Sequence, residues 1–215
     1  MFAIHTYEQI EEEEKRLNEQ HIVVLLLVRP DLPGAADILR EFNYIHYNSG
    51  RFCSVYAVGY TDDAELGKSG DYQAVPGLNG SNWYYSDKAF VEFKNRLEGR
   101  LEWRYQGEIE LIVLQSNPEG RQILNFQNYV VIDVNHGVRK GYLDSFPRFM
   151  EALVRSARSE VDAAGAIKKT RRQSYKISGI VCGAIDGSKR IPTPVKALIR
   201  DRLFYRTANM YRKAG

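Results

Sequence analysis

Residues Ile22 to Val28 form an unbroken run of β-branched and leucine side chains, Ile-Val-Val-Leu-Leu-Leu-Val. A strand that is apolar on both faces must be covered on both, so the run demands a sheet sandwiched between other elements. It is far shorter than the roughly 20 apolar residues that a membrane-spanning helix needs. Arg29-Pro30 closes it, because proline cannot donate to a strand ladder.

The flanking segments supply that cover. Upstream, Thr6 and Gln9 have capping-box spacing, which predicts a helix from Thr6 to about Gln20 with Tyr7, Ile10 and Leu17 facing inward and Glu11 to Glu14 as a solvated face. Downstream, Ala35, Ile38, Leu39, Phe42 and Ile45 recur at helical spacing, and Phe52 to Tyr60 reads as a second strand parallel to the first. Thr61 to Tyr85 is interrupted by glycines and Pro76 without a sustained period, so it reads as a long surface loop. Ser86 or Asp87 then caps a helix that buries Phe90, Phe93 and Leu97. An antiparallel pair follows, Glu108 to Gln115 and Asn128 to Val134, and after it a helix capped by Ser145 whose inward face runs through Phe146, Phe149, Met150, Leu153, Val154 and Ala157.

Charge divides the chain. Of the 30 basic and 27 acidic residues, 17 and 25 fall in residues 1–165 (net −8), while 13 and 2 fall in 166–215 (net +11). The overall +3 is the sum of an acidic domain, 1–165, and a basic extension, 166–215. Within the extension, Ile177 to Ile185 is an apolar run interrupted by glycines, and Thr193-Pro194 begins a helix carrying Val195, Leu198, Ile199, Leu203 and Met210. Two cysteines, Cys53 and Cys182, support neither a disulfide framework nor a thiolate metal site, which fits a reducing, cytoplasmic compartment.

The order β-α-β-α-β-β-α from Ile22 to about Arg158 resembles the thioredoxin-like fold, with an added N-terminal helix and the basic extension. In that family a Cys-x-x-Cys loop follows the first core strand, where a helix N-terminus activates a thiol. The corresponding loop here is Arg29-Pro30-Asp31-Leu32-Pro33-Gly34, and Gln106-Gly107-Glu108 stands where the family places a proline before its third strand. Thiol redox activity is therefore not implied. The segment Tyr44-Ile45-His46-Tyr47-Asn48-Ser49-Gly50, followed by Gly59-Tyr60, resembles uncharacterised bacterial proteins associated with conflict or antiphage systems, which implies a place in a defence assembly.

The sequence has no phosphate-binding glycine loop, nucleophile elbow or paired-histidine zinc motif. Asp133 and His136 are the nearest approach to a catalytic pair, and an acid beside a histidine at a strand end suits a phosphate-handling hydrolase or nuclease. A capped polar turn accounts for the same residues without chemistry. Tyr44, His46, Tyr47, Arg51 and Trp83 form a candidate aromatic contact surface, against which stands the ordinary use of such rings in a core. Lys168, Lys169, Arg171, Arg172, Lys176, Lys189, Arg190, Arg200, Arg202 and Arg206 have the density expected for neutralising phosphates or docking on an acidic surface.

The leading reading is a non-catalytic binding or adaptor protein whose basic extension engages nucleic acid or an acidic protein partner, with no metal, cofactor or membrane. The alternatives are the hydrolase using Asp133 and His136, and a structural subunit of a homo- or hetero-oligomer.

Overall fold

The computed structural model describes residues 1–49, 52–141, 143–158 and 166, and the backbone of 205–207. Its centre is a six-stranded mixed sheet built on the apolar run. In chain order the elements are β1 (Phe2–Ile4), α1 (Tyr7–Leu17), β2 (Ile22–Leu27), α2 (Ala35–Arg40), α3 (Phe42–Ser49), β3 (Cys53–Val58) and β4 (Tyr60–Thr61). They continue with α4 (Ala64–Gly67), β5 (Gln73–Pro76), β6 (Asn82–Tyr85), α5 (Asp87–Glu98), β7 (Glu110–Gln115), β8 (Val130–Asp133), α6 (Val134–Arg139), α7 (Phe146–Ala157) and β9 (Tyr205–Thr207).

The large sheet runs β1-β3-β2-β7-β8-β9. β1, β3 and β2 are parallel, with Val24 opposite Val55, and β7, β8 and β9 follow antiparallel. Every residue of β2 is fully buried, as a strand covered on both faces requires. Tyr7 of α1 packs on Phe93 of α5 in one helical layer, while α3 packs on α7 in the other. No helix among the described residues is long and apolar enough to cross a membrane.

Four local expectations change. The helix expected from Ala35 to Ile45 is two helices: the Glu41 amide bonds back to Ile38 and Leu39, tightening the last turn of α2 before α3 begins. The expected loop from Thr61 to Tyr85 instead folds into α4 and a second, antiparallel sheet of order β4-β6-β5. Trp83 and Tyr85 alternate inward from β6, so a two-residue period was present there in a segment too punctuated to display it. On α1, Glu14, expected on the solvated face, is fully buried, while Leu17, expected to face inward, is exposed. Finally, Tyr205–Thr207 is a strand and not part of a helix running on to Met210; β-forming Tyr and Thr pair with Val130–Ile132 of β8. The segments carrying Ile177 to Ile185 and Val195 to Leu203 lie outside the described residues, as does the breakpoint at Gly165.

Gly59 makes the change of sheet possible. Its φ is +87°, and a Cβ there would lie 2.8 Å from the Phe90 Cβ. The residue therefore turns the chain from β3 into β4 at a point where any side chain would collide with α5.

Candidate functional site

β2 is the strand at which the parallel and antiparallel halves of the sheet meet, and its C-terminal end runs into the loop Arg29–Gly34. Crevices beyond strand ends are where open α/β sheets place ligands. The Val28 carbonyl accepts the Tyr60 hydroxyl at 2.7 Å, which fixes the strand end. The loop Arg29–Gly34 then folds into successive turns, with Leu32 N–H donating to Arg29 O at 3.1 Å and Ala35 N–H to Leu32 O at 3.0 Å.

Charges anchor this loop to its neighbours. The Arg29 guanidinium lies 3.0 Å from Asp31 and 3.5 Å from Asp87, whose same oxygen accepts the Tyr85 hydroxyl at 3.0 Å. Burial, then the adjacent Asp87 carboxylate, pushes the Tyr85 hydroxyl well above its ordinary range, so it remains a donor. On the other side, the Asn135 amide of α6 donates to Pro33 O at 3.3 Å and to Glu108 at 2.8 Å, and Arg139 reaches Glu108 at 3.2 Å.

Between this loop, α2, α6 and the start of α7 lies a groove of about 520 Å³. Its apolar lining comes from Pro33, Ile38, Val134, Val138, Phe146 and Pro147, and its rim carries Asp37, Glu41, Arg139 and Asp144. An apolar floor with a few placed charges is the usual construction of a binding pocket. Val138 stands about half exposed on this wall. Sequence reasoning missed the groove; the spacing of Val134 and Val138 on one face just after a strand end was the available signal.

Asp133 and His136 adjoin this region. The Asp133 carboxylate accepts the backbone N–H of His136 at 2.7 Å and so caps α6, a contact that accounts for their proximity in sequence. Cys53 is buried on β3, and its thiol is pushed up to about 12 by burial, far from the reactivity of an activated thiolate. Among the described residues no group of three His, Cys, Asp or Glu side chains could hold a metal ion.

The candidate aromatic surface divides. Trp83 is only 3% exposed and packs on Phe42 and Tyr60, a core role. Tyr47, 69% exposed, donates to Asn79, and Tyr44 donates to Glu151 of α7. His46 is half-buried, with Nδ1 3.1 Å from the Met1 amino group, and Arg51 lies outside the described residues. Of the basic residues, only Arg206 falls within them, in β9 opposite Val131; Lys168, Lys169, Arg171, Arg172, Lys176, Lys189, Arg190, Arg200 and Arg202 lie outside.

A different polar cluster, unanticipated from sequence, closes the N-terminal end of β2. Glu14 accepts the Tyr56 hydroxyl at 2.6 Å, and its other oxygen lies 3.2 Å from His21 Nε2. His21 Nε2 is also 2.8 Å from Ser54 Oγ, and Nδ1 is 2.9 Å from Glu19 O. The Ser116 hydroxyl donates to Glu19 O and accepts from the His21 backbone.

Compared with protein-family models, curated proteins and solved structures, the chain matches none.

Proposed function

We propose that this chain is a non-catalytic binding protein on a thioredoxin-like scaffold, whose basic segment engages nucleic acid. The observation that carries the reading is the charge partition, net −8 over residues 1–165 against net +11 over 166–215. Cationic density of that order neutralises phosphates and releases counterions. β9 supports the reading further, since it joins part of the basic segment to the sheet of the acidic body and so ties the two together. The strand order β1-β3-β2-β7-β8 favours the thioredoxin-like scaffold, and the loop Arg29–Gly34, which has no thiol, favours binding over redox chemistry at the strand end. A place in a bacterial defence assembly is part of the same proposal and rests on the segment from Tyr44 to Gly50.

The test is fluorescence anisotropy of full-length protein with labelled single-stranded RNA and duplex DNA over a potassium chloride series. Binding whose affinity falls steeply and log-linearly with salt is expected, and replacing Lys168, Lys169, Arg171 and Arg172 with Gln should flatten the slope. No binding to either polymer at about 50 mM salt overturns the proposal.

A further inference from the structure

The buried cluster at the start of β2 takes no part in the proposed binding function, and burying it is costly. Glu14 is 0% exposed and His21 5%. Carboxylates are almost never fully buried unless paired. Glu14 belongs to α1, whereas its partners belong to the sheet: His21 immediately precedes β2, and Tyr56 is on β3. The Glu14 carboxylate thus adds a polar tie between α1 and the sheet to the apolar packing of Tyr7 and Ile10.

The geometry decides which imidazole nitrogen can titrate. Nδ1 faces the Glu19 carbonyl at 2.9 Å, and a carbonyl only accepts, so Nδ1 carries a proton in both charge states. Nε2 faces the Glu14 carboxylate at 3.2 Å and the Ser54 hydroxyl at 2.8 Å. With Nε2 protonated, imidazolium and carboxylate compensate each other. Without that proton, Ser54 can still donate to Nε2, but Glu14 keeps only the Tyr56 hydroxyl and becomes a buried, unneutralised charge. Water reaches Glu14 most directly if α1 lifts, because Glu14 travels with that helix.

We propose that the Glu14–His21 contact is a proton-operated latch: the Nε2 proton locks α1 to the sheet, and its loss loosens α1 while the strands stay paired. The groups around the latch leave its sign unchanged. Tyr56 stays protonated, since burial and then the Glu14 charge push its ionisation to far higher pH, and the Cys53 thiol is likewise neutral. Glu13, the neighbouring residue on α1, is paired with Arg16 at the surface, and Glu19 favours the imidazolium through both its backbone carbonyl and its charge, the same sign as Glu14. Burial opposes protonation of His21, but the Glu14 carboxylate and, after it, Glu19 together outweigh it and hold the imidazole above its ordinary range. A group whose folded-state value is raised stabilises the fold fully below the unfolded value, near 6.5, and loses that contribution as pH rises through the folded value.

Hydrogen exchange followed by NMR on the full chain, from about pH 5.5 to 8.5, tests the latch. The readout is protection of α1 amides relative to those of α7 in the opposite layer, corrected for intrinsic exchange rates. Between the unfolded and folded values this ratio should fall about tenfold per pH unit, one proton being released on opening. In Glu14→Gln, which keeps an acceptor for Tyr56 but removes the charge, the fall of the ratio with rising pH should be lost. A constant ratio in the unaltered protein overturns the proposal, as does the same pH slope in Glu14→Gln. Nitrogen-15 shifts of His21 give a check that needs no variant: Nε2 must titrate while Nδ1 stays protonated, and the reverse also overturns it.

Discussion

The two ends of β2 are both rich in polar groups and are built in opposite ways. At the N-terminal end Glu14, His21, Ser54 and Ser116 are all buried and held by fixed partners. At the C-terminal end Arg29 meets Asp31 and Asp87 with side chains 34%, 63% and 71% exposed. The pairings are chemically alike, and solvent separates their consequences. Dehydrated charges depend wholly on their partners, whereas hydrated ones exchange partners with water at little cost. The closed end therefore suits fastening a helix. The open end, beside the groove, suits meeting a ligand.

The sharpest way to break this comparison is to remove one partner at the closed end. Glu14→Ala leaves the Tyr56 hydroxyl without its acceptor and the charged form of His21 without its counter-ion, and should cost about 3–5 kcal/mol in urea unfolding near pH 6. A loss below about 1 kcal/mol would mean that water already reaches the site, and the two ends would no longer differ in kind.

A smaller effect is expected at Asp133, which borders the open end but acts through the backbone. Asp133→Ala removes the cap of α6 and should cost about 1 kcal/mol, while Asp133→Asn, which caps equally well, should stay within a few tenths. Thermal unfolding of the two variants distinguishes the roles. If Asn proves as damaging as Ala, the charge of Asp133 does work beyond capping, and the open end holds chemistry that a hydrogen bond to the backbone does not explain.

What the sequence made legible follows the same division. β2, the parallel β2–β3 pair, the β7–β8 pair and the helices capped by Thr6, Ser86 and Ser145 could be read because periodicity and capping are local. Glu14 could not, since the run Glu11–Glu14 looks uniform and only the position of α1 over Tyr56 and His21 singles out its last member. The second sheet was hidden because Trp83 and Tyr85 pair across a segment broken by Pro76, Gly77 and Gly80. The groove joins residues 33–41 to residues 134–147; Ile38, the Ser145 cap and Phe146 were legible one by one, but their meeting across the fold was not. The α6 cap was half legible: Asp133 and His136 drew notice as a pair, and the structure gives that pairing a backbone partner.

The smallest effect should come from the open end itself. Arg29→Gln removes both ion pairs but keeps much of the aliphatic stem that packs at the end of β2, so unfolding should shift by less than about 1 kcal/mol. Raising salt to about 0.5 M should abolish even that difference, because exposed charges are screened over a few ångströms. A salt-insensitive loss comparable to that of Glu14→Ala would show that Arg29 is a structural counter-ion as deeply committed as Glu14. The loop from Arg29 to Gly34 would then be fixed for stability, and Arg29 would have no spare charge to offer an incoming group. The small, screenable effect is the one that leaves Arg29 able to exchange Asp31 or Asp87 for an incoming group while the fold stays unchanged.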